Sequence, residues 1–219
     1  MLPVREFKSV ISASLFVATT ATMGLFAGGA QAAITFTGFS NGCFGLACAP
    51  PSTSALQTAT LGGLTYNNST FNVTDAGGFA AIGNVAGSPN VDNLGSFTLS
   101  GAAFTYTGNA FDLRVSFTAP PGTAPGSGVF TSVLSGMVTA IDNGGVFVDF
   151  NNTPQNFTFS GGGSFSLSVN DLSVTAGNSV AVTGQITNVS AIPEPESYAM
   201  MLAGLGLMGF VTNRRKRKA

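Results

Sequence analysis

The chain has 219 residues, 8% of them charged, with no histidine, no tryptophan, two cysteines and a formal net charge of -1. It therefore lacks the imidazole of the Ser-His-Asp and Cys-His pairs that carry acyl transfer, and the composition points away from an enzyme. The average conceals three chemically different regions, which have to be read separately.

At the amino terminus Arg5 and Lys8 precede an apolar stretch that starts at Val10 and gives way near Phe26 to small residues and the triplet Ala30-Gln31-Ala32. A positive end that stays in the cytoplasm, a short apolar helix and small side chains for the peptidase pockets make a secretory signal peptide. Residues 1–32 are read as this signal helix, with signal peptidase cutting between Ala32 and Ala33. A retained membrane helix is the alternative, disfavoured by Gly28, Gly29 and the small-x-small triplet.

Residues 33–192 have the length of one domain with a real core. Their charged side chains are Arg114 and six aspartates, so the region is mildly acidic and cannot neutralise a phosphate backbone; no nucleic-acid role is expected. Glycine, serine, threonine and asparagine are abundant, but apolar residues are interleaved with them at strand spacing. Phe111 to Thr118 alternates through eight positions, placing Phe111, Leu113, Val115 and Phe117 on one face. Shorter alternations occur at 97–100, 157–160, 165–169 and 180–183, and turn signals separate them: Gly62-Gly63, Gly77-Gly78, Ser88-Pro89-Asn90, Pro120-Pro121-Gly122, Asp142-Asn143-Gly144-Gly145 and Gly161-Gly162-Gly163. The fold class expected is all-β, an antiparallel β-sandwich of jelly-roll or immunoglobulin-like topology, with the signal helix before it and a transmembrane helix after it. The segment 120–127 is read as a long loop within that domain.

Cys43 and Cys48 enclose four residues, and in an exported chain a disulfide is the natural partner choice. Two cysteines without histidine cannot complete a structural zinc site, and the spacing is not that of a redox C-x-x-C. Asp112, Asp149 and Asp171 are the carboxylates that could converge as a glycosidase pair, although turn and surface roles are the simpler expectation. Tyr66 and Tyr106 remain as sugar-stacking candidates. Asp142-Asn143-Gly144-Gly145 and Asp149-Phe150-Asn151-Asn152 hold hard oxygen ligands for calcium, but their spacing fails the known loop patterns, so turns are favoured over ligation. Neither a metal nor a cofactor is expected. Arg114 lies two positions from Asp112 on one strand face and could sit against it or against a neighbouring strand's aspartate as a surface charge pair; it is also the one obvious anchor for an acidic sugar. The triple glycine lacks the Lys and Ser or Thr of a phosphate loop, and triplets such as Asn72-Val73-Thr74 and Asn156-Phe157-Thr158 are weak glycosylation signals.

At the carboxyl terminus Pro193-Glu194-Pro195 is followed by an uncharged run from Tyr198 to Val211 and then by Arg214, Arg215, Lys216, Arg217 and Lys218. Fourteen residues make about 21 Å of helix against a hydrocarbon core of about 30 Å, so the transmembrane helix expected at 198–211 needs snorkelling or local thinning. The basic cluster would stay cytoplasmic, leaving the proline motif on the exported side. These three parts, in this order over residues 193–219, resemble the PEP-CTERM sorting signal of exported proteins in Gram-negative bacteria. The resemblance implies recognition and tail removal by an exosortase, an inner-membrane-anchored precursor, and a mature protein at the cell surface or in the extracellular matrix. It further implies an association with exopolysaccharide and biofilm. The expected function is thus that of a non-enzymatic envelope or matrix protein. A carbohydrate-binding or adhesion module is the second reading, and a secreted aspartate-dependent hydrolase the third.

Overall fold

The computed structural model describes residues 33–55, 57–83, 92–141, 144–190 and 195–216, with side chains of the last segment described at 200–210 and 213. The signal-peptide residues 1–32, including Ala30 and Ala32, lie outside the described residues. Ala33 is the first described residue and is exposed.

In chain order the first strands are β1 (Thr35–Phe44), β2 (Thr58–Leu61), β3 (Leu64–Asn67), β4 (Thr70–Thr74) and β5 (Ala80–Ile82). The middle of the chain forms β6 (Ser96–Leu99), β7 (Phe104–Thr105), β8 (Ala110–Ala119), β9 (Ser127–Val138) and β10 (Gly145–Phe150). Last come β11 (Gln155–Phe159), β12 (Gly163–Val169), β13 (Leu172–Thr175), β14 (Ser179–Ala181), β15 (Gly184–Ser190) and a helix, α1 (Pro195–Lys216). All strand pairings are antiparallel. They form a seven-stranded sheet in the order β13-β10-β9-β8-β1-β4, with β7 also pairing on β9, and two four-stranded sheets, β11-β12-β15-β5 and β14-β6-β3-β2. The all-β antiparallel expectation therefore holds, with the strands distributed over three sheets instead of two.

Phenylalanine packing explains why the small sheets sit where they do. On β8 the alternation buries Phe111, Leu113, Val115 and Phe117 on one face. Phe111 and Phe117 are six residues apart, about 20 Å along the strand, and each centres its own aromatic cluster. Phe117 and Phe36 of β1 meet Phe165 of β12 at 4.9 and 4.8 Å, and Phe157 of β11 stacks on Phe165 at 5.0 Å. At the other end Phe111 meets Phe97 of β6 at 4.8 Å, Tyr66 of β3 at 5.0 Å and Phe44 of β1 at 4.9 Å. One face of the large sheet thus packs against one small sheet through Phe117 and against the other through Phe111. Each ring pair adds about 0.5–1.5 kcal/mol to its burial.

Close approach of rings to the backbone accounts for Gly42 in β1. A Cβ there would lie 2.3 Å from the Phe111 ring, so the aromatic cluster leaves no room for a side chain. Turns fall where glycine signals them: Gly62 and Gly63 between β2 and β3 have positive φ, as have Gly161 and Gly162 between β11 and β12. The loop after β8 is structured as well. Ala124 pairs with Thr158 of β11 through two backbone hydrogen bonds of 2.7 and 2.9 Å, tying the large sheet to its neighbour.

Candidate functional site: an outer-face groove and the carboxyl-terminal tail

The other face of β8 carries Asp112, Arg114 and Ser116, two of which are buried. Their cover is the segment after β1. Cys43 is paired with Asp112 across β1 and β8, and its disulfide to Cys48 turns the chain back over the sheet. Asn68 fastens the segment further along, donating to Asn41 Oδ1 at 2.9 Å and to the Ala55 carbonyl at 2.8 Å, while Asn41 donates to the Thr53 carbonyl. The expected disulfide is present.

Arg114 belongs to the same strapping. Its Nε donates to the Pro50 carbonyl at 2.9 Å and its Nη1 to Ser127 Oγ at 3.3 Å. The pairing with Asp112 or a neighbouring strand's aspartate that the spacing allowed is replaced by these bonds, because the folded-back segment brings a carbonyl within reach. Ser127 stands opposite Ser116 in the register, so the guanidinium is turned along the sheet away from Asp112.

Asp112 is left in an unusual position. Its residue is only 8% exposed, and its Oδ2 lies 3.6 Å from Cys48 Sγ. An oxidised sulfur has no proton to donate, so this contact does not satisfy a carboxylate. Burial pushes the Asp112 carboxyl above the usual aspartate range.

Between the disulfide loop and strands β9 and β10 runs an open groove of about 490 Å³, lined by Asp112, Asp149, Thr131, Asn151, Val133 and Leu46 among others. The β8-β9-β10 meander builds it. Asp112 faces Thr131 of β9, and Asp149 faces Val133 on the other side of the same strand. Two strand spacings and a two-residue offset put their Cα atoms about 12 Å apart. Leu46 and Val133 are strongly exposed there. Of the three aspartates that could have converged, the fold places Asp112 and Asp149 along one groove and uses the third elsewhere. Asp171 accepts from the Phe150 backbone N–H at 2.8 Å and from Asn152 Nδ2 at 3.1 Å, pinning the end of β10.

The tyrosines are not stacking platforms. Tyr66 and Tyr106 are buried, with Tyr66 donating to the Leu94 carbonyl at 2.8 Å and Tyr106 to the Gly62 carbonyl. Burial pushes the Tyr66 hydroxyl upward. Asp142 and Asn143 lie outside the described residues. Asn151 Oδ1 accepts the Thr153 N–H in a local turn, and no group of three or more His, Cys, Asp or Glu that could hold a metal occurs among the described residues. Nothing in the sequence marked this groove, since neither Val133 nor Leu46 stands in a motif.

The tail comes after the last strand. β15 ends at Ser190, and α1 starts at Pro195, a favoured first helical position because proline has no N–H to leave unsatisfied. Pro193 and Glu194 of the proposed motif lie outside the described residues. Arg214, Arg215 and Lys216 occupy the last turn of α1, while Arg217 and Lys218 lie outside the described residues. Met200, Leu202, Leu205 and Leu207 are exposed on different sides of the helix. Among the described residues no helix is long and apolar enough to cross a membrane.

No curated protein and no solved structure matches the chain. A family model does match its end. Residues 191–217 fit the PEP-CTERM protein-sorting motif, which starts at the residue after β15 and covers the proline motif, the helix and all but the last two residues of the chain. This is an exported protein that carries a PEP-CTERM protein-sorting motif and is thereby marked as an exosortase substrate.

Proposed function

We propose that the chain is a non-enzymatic envelope or extracellular-matrix protein, associated with exopolysaccharide and biofilm, whose β domain is delivered by a signal peptide and freed from its tail at Pro193-Glu194-Pro195. The observation that carries this is the position of the sorting motif: its match begins at residue 191, directly after the last residue of β15, so tail removal leaves every strand whole. Before removal, α1 holds the precursor in the inner membrane. Its exposed apolar residues support that step, with the basic end snorkelling into the cytoplasm to offset a short uncharged run. The mature domain works as a two-layer sandwich in which the two small sheets share one face of the large one. Absence of histidine and lysine from residues 33–192 supports a role without acid-base turnover.

Intact mass of the protein recovered separately from membranes and culture medium of its host tests this, before and after reduction. The expected mature chain begins at Ala33, ends by Pro195, and gains two thiols on reduction. A membrane-bound chain that still contains Arg214 to Lys218 as its final form overturns the processing step and makes this a lasting surface anchor. The groove favours a second, compatible reading as a carbohydrate-binding or adhesion module.

A further inference from the structure

We infer that the outer-face groove is a binding site for a cationic amino sugar, such as the de-N-acetylated hexosamine units of a polysaccharide, with Asp112 and Asp149 receiving its ammonium and hydroxyl groups. This deepens the matrix reading by naming the chemistry the mature domain retains.

Three features lead there. Asp112 is more than nine-tenths buried and lines the groove, and among the described residues its side-chain polar contact is with an oxidised sulfur, so it is an acceptor without a donor. Asp149 lines the same groove from β10, and the cation of the domain, Arg114, is committed to Pro50 and Ser127. Two carboxylates therefore share a groove to which no cation among its lining residues contributes, and a ligand is left to bring the positive charge.

The remaining lining selects among cationic ligands. Calcium takes six to eight oxygens around one point, whereas these two carboxylates start from Cα atoms about 12 Å apart and stand beside Leu46 and Val133. A peptide added as a strand needs free backbone groups, but the floor of the groove is β9, hydrogen-bonded on one side to β8 and on the other to β10. Recognition has to go through side chains. A pyranose fits that demand: its apolar C–H face lies on Val133 and Leu46, while its hydroxyl and ammonium groups donate to Asp112, Asp149, Thr131 and Asn151. An acidic sugar is repelled.

Titration calorimetry on the full chain in mild detergent tests the assignment just below neutral pH, with three probes: a β-1,4-glucosamine tetramer, its fully N-acetylated form, and tetralysine. The glucosamine tetramer is expected to bind, and the other two to bind at least about tenfold more weakly. Asp112→Asn and Asp149→Asn should each weaken glucosamine binding by about tenfold without lowering the melting temperature; the exposed Asp149 keeps the test valid should the buried substitution misfold. Equal binding of the acetylated tetramer overturns the ammonium assignment, and equal binding of tetralysine reduces it to unspecific charge attraction. Unchanged affinity in Asp149→Asn removes the groove as the site. A chain that binds glucosamine yet keeps its tail in the host separates the failure of processing from the failure of the groove, and a correctly trimmed chain that binds nothing does the reverse.

Discussion

Replacing Phe165 by alanine should be the most damaging single change to the attachment of the β11-β12-β15-β5 sheet. The ring is 1% exposed and meets Phe36, Phe117 and Phe157 at 4.8, 4.9 and 5.0 Å, the first two from the large sheet and the third from its own. Truncating a buried phenylalanine costs about 3–5 kcal/mol, and four ring pairs lost at once, with Phe159 at 6.3 Å as the fourth, put Phe165 near the upper end, about 5 kcal/mol. For a domain of this size, where about 1 kcal/mol moves the midpoint by 2–4 °C, that is a fall in Tm of about 10–20 °C. Phe165→Leu keeps most of the apolar volume but not the ring geometry, and should lose about 2 kcal/mol. Phe79→Ala is the control: at 46% exposure it should stay within about 0.5 kcal/mol. Calorimetry and urea melts on the mature chain measure the three shifts. Hydrogen exchange locates them, since amides of β12 and β15 should lose protection before those of β9 and β10. A Phe165→Ala shift no larger than that of Phe79→Ala would falsify the view that this ring joins the two sheets.

Three further outcomes follow from the outer face. Cys43→Ser with Cys48→Ser opens a loop of sequence separation 5 and should cost about 2 kcal/mol by the chain-entropy estimate; reductant should lower the parent's urea midpoint equally, and no change in either case shows the bridge to be without weight. Arg114→Gln removes a charged donor from Pro50 and Ser127, worth about 1–3 kcal/mol, and should speed proteolysis within residues 45–55; Arg114→Lys should fail to restore the two-pronged contact, and rescue by lysine argues against it. Asp112 gives a pH signature. Its folded pKa is raised by burial, so below the ordinary aspartate range both states are protonated and nothing is lost, whereas stability declines as pH rises from that range through the folded pKa. Urea melts across pH should show Asp112→Asn gaining on the parent through that window and holding a constant lead above it. A lead that shrinks with rising pH reverses the sign and refutes the burial argument.

What could be read from the chain depended on whether hydropathy followed burial. In β8 it did: Phe111, Leu113, Val115 and Phe117 alternate and are all buried. In β9 it did not. Ser132 is buried there and donates to the Phe111 carbonyl at 2.8 Å, while Val129, Val133 and Met137 on the opposite face are exposed. The two faces carry similar hydropathy, so the longest strand of the fold gave no period to detect. β1 was hidden differently, because Gly38 and Gly42 stand where rings and backbone crowd the strand. The disulfide and the tail were legible because each is local in sequence. The groove was not: it depends on Asp112 and Asp149, 37 residues apart, and only the register of β8, β9 and β10 puts them on one surface.

The last strand also sets a timetable. β15 is an interior strand, flanked by β12, which lies about twenty residues before it, and by β5, which lies about a hundred before it. A chain synthesised from its amino end presents β5 early and must wait for nearly the whole domain to follow before that edge finds its partner. During the wait an unpaired strand edge is open to other copies. Because the sorting motif begins directly after β15, all the residues that close this edge precede the motif, and the strand whose loss would reopen it is the one next to the motif.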